Sequence, residues 1–214
     1  MSNLPIATTP ETRVKTSILR EYGLPFVLAV FLSLFIRTFL VQAYSIPSSS
    51  MENTLVIGDH ILVNKFIYGA RIPFTDFRTP ELREPRRGDV IVFEFPKDPE
   101  KDYIKRIVGV PGDEVRVADK RVYINDRLYS NPHELHKRSG VIPGKTSPRD
   151  NMDTILVPPD SYFVLGDNRD DSYDSRFWGF VRKDQIKGLA FLKYWSWDSR
   201  NQTVHWENIG RVID

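Results

Sequence analysis

The chain has 214 residues, 41% of them hydrophobic, and its 30 Lys and Arg against 28 Asp and Glu leave a formal charge of only +2. That balance excludes the strongly basic surface of a nucleic-acid binder and announces no polyanionic partner. The absence of cysteine removes thiol nucleophiles, disulfides and thiolate-held metals together, and His60, His133, His136 and His205 stand at no metal-ligand spacing, so no metal or cofactor is expected.

In chain order, the residues to about Thr16 are polar and unpatterned and read as disordered. From Leu24 to Ile46 runs an apolar stretch broken only by Ser33, Arg37, Thr38, Gln42 and Ser45. At about 1.5 Å per residue, a helix over 23–46 reaches across a hydrocarbon core of about 30 Å. Arg37, near the far end, can extend its charge to the headgroups. Arg13, Lys15 and Arg20 precede the stretch and no Lys or Arg follows Ile46 before Lys65, which keeps residues 1–22 cytoplasmic and exports the rest. Val41-Gln42-Ala43 offers the small residues of a leader-cleavage site, but the charged and apolar regions outrun a leader of about 15 to 30 residues. An uncleaved signal anchor is expected, with self-cleavage at that tripeptide left open.

Past Pro47 the pattern changes to short apolar runs broken by Gly, Pro and Asp: 61–66, 89–95, 103–110, 114–126, 162–167 and 188–197. Most are of strand length and several alternate apolar with polar, so the exported part, 47–214, is expected to be a mainly β, antiparallel sheet domain. Ala118-Asp119-Lys120 reads as a hairpin turn inside the longest run. Residues from about 131 to 153, rich in Pro, Ser, Asn and charge, read as a surface insertion.

Three segments can carry chemistry. In Ile46-Pro47-Ser48-Ser49-Ser50-Met51, the proline and serines break a helix and present hydroxyls on irregular backbone; taken alone, such a segment is more often a linker. In Tyr103-Ile104-Lys105-Arg106-Ile107-Val108-Gly109-Val110-Pro111-Gly112-Asp113, strand alternation puts Lys105 on one face with Tyr103 and Ile107, and Arg106 on the other with Ile104 and Val108. A lysine desolvated there loses basicity, and a useful base near neutral pH needs a pKa of about 7 to 8; a lysine stretched to solvent from an edge strand is the alternative. In Gly166-Asp167-Asn168-Arg169-Asp170-Asp171-Ser172-Tyr173-Asp174-Ser175-Arg176, the order of a calcium loop is missing because Arg169 stands where a ligand is needed. Asp and Arg alternation suits a salt-bridged turn instead, with Ser172 free to hydrogen-bond; a merely solvated charged turn is the alternative, and the simpler one for this segment taken alone.

Together, in this order and behind an N-terminal anchor, the three segments resemble the type I signal peptidases, the bacterial leader peptidases. The likeness covers the chain from the anchor to about Trp197. It implies a membrane-bound Ser-Lys serine endopeptidase in which Ser50 is nucleophile and Lys105 general base. It implies further that Ser172 orients the amine, that Ser48 and the Ser50 N–H form the oxyanion hole, and that Asp174 with Arg176, and Asp167 with Arg106, support the site. The implied substrates are secretory preproteins, cut after small residues at −1 and −3, with Tyr44, Ile46, Met51, Tyr103 and Ile104 shaping shallow apolar pockets. The implied home is the bacterial plasma membrane with the catalytic domain on its outer face, and Trp195, Trp197 and Phe180 are expected at the lipid headgroups. One departure stands out: the family usually carries a proline where this chain has Asn53, which puts local rigidity in question. A self-cleaving repressor shares the dyad chemistry but carries a DNA-binding module, and no helix-turn-helix pattern precedes the core here. A tethered, non-catalytic β module is the remaining alternative.

Overall fold

The computed structural model describes residues 19–69, 75, 77, 79–199 and 201–214. The opening segment with Arg13 and Lys15, and the side chain of Arg20, on which the expected orientation rests, lie outside what is described. The chain divides into two compact units, Met1–Ile36 and Arg37–Asp214.

In the first unit, α1 (Leu24–Phe35) has a proline in its first turn, where a missing N–H forfeits no helical hydrogen bond. Wider π-helical turns, Leu19–Gly23 and Ile36–Leu40, flank it. The helix buries none of its side chains and leaves Phe26, Phe31 and Leu34 exposed. Among the described residues, no helix is long and apolar enough to cross a membrane.

The apolar stretch expected to be helical to Ile46 instead turns extended in its last part. Val41–Ser45 is strand β1, antiparallel to β2 (Asp59–Asn64) in the register Val41↔Asn64 to Ser45↔His60. Apolar content alone does not separate the two states; here strand pairing overrides the helical continuation. The tripeptide Val41-Gln42-Ala43 therefore sits in a sheet, opposite Leu62 to Asn64.

The rest is β, as expected. β3 (Val90–Phe95) and β4 (Asp98–Gly109) form a long hairpin; β5 (Glu114–Ala118), β6 (Arg121–Ile124) and β7 (Arg127–Leu128) form a meander. β8 (Met152–Leu156) and β9 (Ser161–Leu165) lead to a single helical turn, α2 (Ser175–Trp178), then β10 (Val181–Arg182), β11 (Ile186–Asp198) and β12 (Thr203–Val204). The larger sheet has the order β1-β2-β11-β3-β4-β9-β10, with β12 on β11; the smaller is β7-β6-β5-β8. The expected turn is real: Asp119 and Lys120 both have positive φ, 47° and 70°, the pairing that a two-residue hairpin of right-handed twist requires. Asn125 and Asp126, at 51° and 60°, repeat the device into β7, so the run 114–126 holds a hairpin and the start of a second.

Three apolar clusters fill the domain. Ile46, Met51 and Leu55 pack with Val90, Val92 and Ala190; Ile91, Phe93 and Ile107 with Trp178 and Val181; Val108, Val115 and Val122 with Phe163 and Leu165. The segment 131–153 is less of a surface insertion than its composition suggests. Asn131, Arg149 and Asp150 are buried, and Leu135 forms a bridge with Asn168. Some of its polar residues face the 166–176 loop, Asn131 on Asp167, Glu134 on Arg169 and Arg149 near Asp170, while the stretch from Lys137 to Val141 stays exposed.

Candidate active site

Lys105 reaches its place because β4 is a central strand. It lies opposite Ile91 of β3, while its neighbour Arg106 lies between Val90 of β3 and Leu165 of β9. Ser50 reaches its place through a single 3₁₀ turn, Ser49–Met51, entered from an extended Ser48. Lys105 is 4% exposed and Ser50 is 7% exposed, and Lys105 Nζ lies 2.8 Å from Ser50 Oγ. The amine also donates to the Ile104 carbonyl at 2.8 Å and stands 5.4 Å from the Tyr103 ring centre.

Burial lowers the Lys105 pKa to about 8, against the opposing pull of the Asp174 and Asp167 charges. In the neutral form the amine has a lone pair directed at a hydroxyl within hydrogen-bond reach. Ser48 Oγ is 3.4 Å from Ser50 Oγ, so a second hydroxyl borders the same space. Ser48 itself is exposed.

Ser172 does not meet the lysine here. Its buried Oγ lies toward the Asp174 carboxylate rather than the amine, whose other partner is Ile104 O. Ser172 is nevertheless adjacent: a Cβ on Gly166 would collide with Ser172 Oγ and with the Ser50 carbonyl oxygen. Glycine at the head of the 166–176 loop thus lets the two serine segments approach.

Both expected ion pairs form. Arg106 grips Asp167 through Nε and Nη2 at 2.9 and 2.8 Å, and Arg176 grips Asp174 through Nε and Nη2 at 2.8 Å each. Burial pushes the Asp174 carboxyl up, but the Arg176 charge and its hydrogen bonds outweigh that and hold it below the usual carboxylate range. Asp167 is a hub: Thr54 Oγ1 donates to it at 2.5 Å and Asn131 Nδ2 at 3.0 Å. Thr54 in turn accepts from Arg106, and its carbonyl accepts from the buried Lys193 at 2.7 Å. Thr54, Asn131, Asn168 and Lys193 were not read as site residues. Thr54 follows the nucleophile turn, whereas Asn131 and Lys193 are distant in sequence and the fold brings them to Asp167 and to Thr54; Asn168 alone sits inside a recognised motif.

The five residues expected to shape shallow apolar pockets divide between two cores. Ile46 and Met51 are buried in one cluster, with Tyr44 and Ile104 packed against it. Tyr103 belongs to another and stacks on Phe95 at a centroid distance of 4.4 Å. Alternation along β4 puts Tyr103 and Ile104 on opposite faces, as the strand pattern predicts, so the two line different surfaces. Phe180 packs against Phe163 in the third core, whereas Trp195, Trp197 and Trp206 are exposed, with Trp195 and Trp206 edge to face at 6.3 Å.

Known proteins resemble this chain over most of its length. The family described as "Signal peptidase, peptidase S26" matches residues 19–195. A protein of Pseudomonas fluorescens named signal peptidase I is 39% identical over an alignment covering 97% of this chain and 83% of the relative. A signal peptidase I of Pseudomonas aeruginosa is 38% identical, covering 91% and 79%, and a probable signal peptidase I-2 of Synechocystis sp. is 40% identical, covering 82% and 72%.

Proposed function

The chain belongs to the signal peptidase family, peptidase S26, and from that premise we propose that Ser50 and Lys105 form its catalytic dyad. It is a type I signal peptidase, a serine endopeptidase acting on preproteins with signal peptides. The observation that carries the dyad is the buried Lys105 amine, 2.8 Å from Ser50 Oγ and depressed to a pKa of about 8.

Neutral Lys105 takes the Ser50 proton as the serine oxygen attacks the scissile carbonyl. The developing oxyanion is met by the Ser50 N–H and the Ser48 hydroxyl. The lysine, now protonated, gives its proton to the departing amine; the amine again neutral, it activates water to hydrolyse the acyl-enzyme. Asp174 with Arg176, and Asp167 with Arg106, hold the surrounding backbone without touching substrate. Ser172, beside Gly166, orients the amine once a substrate strand displaces it from Ile104 O. The apolar surface around Tyr44, Ile46 and Ile104 favours small side chains at −1 and −3.

A bacterial plasma membrane is the setting, with the N-terminus cytoplasmic and the catalytic domain outside. The uniformly exposed apolar surface of α1 and the exposed Trp195 and Trp197 support contact with lipid. Trp195→Ala with Trp197→Ala is expected to slow cleavage of a vesicle-inserted preprotein while leaving cleavage in detergent intact; equal rates in both settings sink the lipid contact. The dyad is tested by cleavage of a preprotein by the detergent-solubilised protein. Ser50→Ala and Lys105→Met are each expected to lose at least about 10³-fold in kcat, and cleavage equal to wild type by either overturns the assignment.

A further inference from the structure

The Ser49–Ser50 peptide group is planar and trans, so its carbonyl oxygen and its N–H point in opposite directions. Whatever holds Ser49 O therefore fixes where the Ser50 N–H points. Ser49 O accepts two hydrogen bonds: one from the Glu52 N–H at 3.0 Å, closing the 3₁₀ turn, and one from Asn168 Nδ2 at 3.1 Å. The next carbonyl, Ser50 O, accepts from the Asn168 backbone N–H at 3.2 Å. One residue of the 166–176 loop thus grips two successive carbonyls of the nucleophile turn.

The orientation of the Asn168 amide follows from its surroundings. Its Nδ2 faces Ser49 O and, at 3.4 Å, Glu52 Oε2, both of which only accept. Its Oδ1 is buried and takes no hydrogen bond among the described residues. Flipping the amide would set oxygen against two acceptors, so the donor side stays on the turn. Asn168 is itself fully buried, and its loop is pinned from behind by Leu135, whose N–H donates to Asp167 O and whose carbonyl accepts from the Arg169 N–H.

We infer that Asn168 is a positioning residue for catalysis: its side-chain amide aims the Ser50 N–H at the oxyanion by holding the far edge of the same peptide group. The inference rests on the reading of Ser50 as nucleophile. Asn168 touches neither the Lys105 amine nor the Ser50 hydroxyl, so its loss weakens stabilisation of the tetrahedral state while leaving the proton transfer unaltered.

The test is steady-state cleavage of a preprotein by the full-length, detergent-solubilised protein, comparing wild type, Asn168→Asp and Asn168→Ala, with Ser50→Ala as control. Asn168→Asp keeps shape and backbone but replaces the donor by an acceptor against Ser49 O and Glu52. It is expected to lower kcat about tenfold to a hundredfold with KM within about threefold, and to be at least as impaired as Asn168→Ala. For Asn168→Ala, which adds no charge near Lys105, the pH at which kcat/KM levels off is expected to stay where wild type has it. A residue that merely packs gives the reverse order, with the isosteric aspartate close to wild type, and that result overturns the inference. So does a fall in activity of Asn168→Ala accompanied by a displaced pH midpoint. Should Asn168→Asp fail to melt cooperatively, Asn168→Ser is judged on the same kcat against KM division. Full activity in Ser50→Ala defeats the dyad itself; inactive Ser50→Ala beside wild-type-like Asn168→Asp defeats only the role of Asn168.

Discussion

Lys105 and Arg106 are consecutive residues of one strand, both nearly inaccessible, and they meet opposite fates: the lysine amine has a hydroxyl and a carbonyl for company, the guanidinium a carboxylate. Alternation along β4 sends the two cations to different faces, where the lysine has no carboxylate in contact and the arginine has one. Loss of solvent lowers the pKa of the first to about 8. Activity needs Lys105 neutral, so kcat/KM is expected to rise about tenfold per pH unit below pH 8 and to level off above it. A pH–rate profile on a preprotein checks this. A midpoint near 6.5 would point to a histidine base instead.

The same burial has a cost in stability. Below pH 8 the lysine is charged in both folded and unfolded states, and the folded state bears the full desolvation penalty. Between about pH 8 and the ordinary lysine value of 10.5 only the unfolded state is protonated, so stability rises with pH across that window. Lys105→Met removes the charge at similar volume. It is expected to be inactive yet more stable than wild type at pH 7, by up to a few kcal/mol at about 1.36 kcal/mol per pH unit, and the gain is expected to shrink at pH 9.5. Denaturant melts at the two pH values measure it; an advantage that grows with pH contradicts the account.

Strands were legible because period-two patterns and Gly-Asp-Pro punctuation are local. The expected runs at 89–95, 162–167 and 188–197 correspond to β3, β9 and β11. The dyad was not local in that sense: Ser50 and Lys105 are 55 residues apart, and only the joint likeness of three segments to a family linked them. Nor could Thr54, Asn131 and Lys193 be picked out, since a threonine or asparagine in a loop, or a lysine in a strand, shows no chemistry until its partner arrives. The boundary of the apolar stretch failed for another reason. Residues 41–45 are apolar enough for either state, and pairing with β2 decides.

Arg106 tests how far the hub at Asp167 matters. Arg106→Ala strands a carboxylate that is almost wholly buried, leaving only Thr54 and Asn131 as donors. The expected loss is about 3 to 5 kcal/mol in unfolding free energy, with Arg106→Lys falling between because it keeps the charge but not the two-pronged grip. Because Thr54 follows the nucleophile turn and bonds to both members of the pair, kcat is expected to fall as well. Unfolding at wild-type denaturant concentration would show the pair to be dispensable.

Asn53 is where this chain departs from its family's usual proline, and its backbone explains the departure. Met51 to Thr54 forms a turn closed by the Thr54 N–H on Met51 O at 3.0 Å, with Glu52 at φ −55°, ψ 145° and Asn53 at φ 86°. This is the geometry of a type II turn, whose third residue requires positive φ and so favours glycine or asparagine. Proline, fixed near −65°, cannot occupy it. Rigidity is supplied from outside instead: Asn53 Nδ2 donates to His133 O at 3.1 Å, and Lys137 bonds the Glu52 carboxylate at 2.5 Å. Asn53→Pro, though it restores the family's residue, is therefore expected to lower kcat/KM at least tenfold and to destabilise the fold by about 1 to 3 kcal/mol. Asn53→Gly keeps the turn and loses one exposed hydrogen bond, so it is expected to stay within about 1 kcal/mol of wild type. Cleavage kinetics and thermal melts of the pair decide the matter: a proline variant as active and stable as the glycine variant would mean that the turn re-forms in another conformation and that the positive φ is not required.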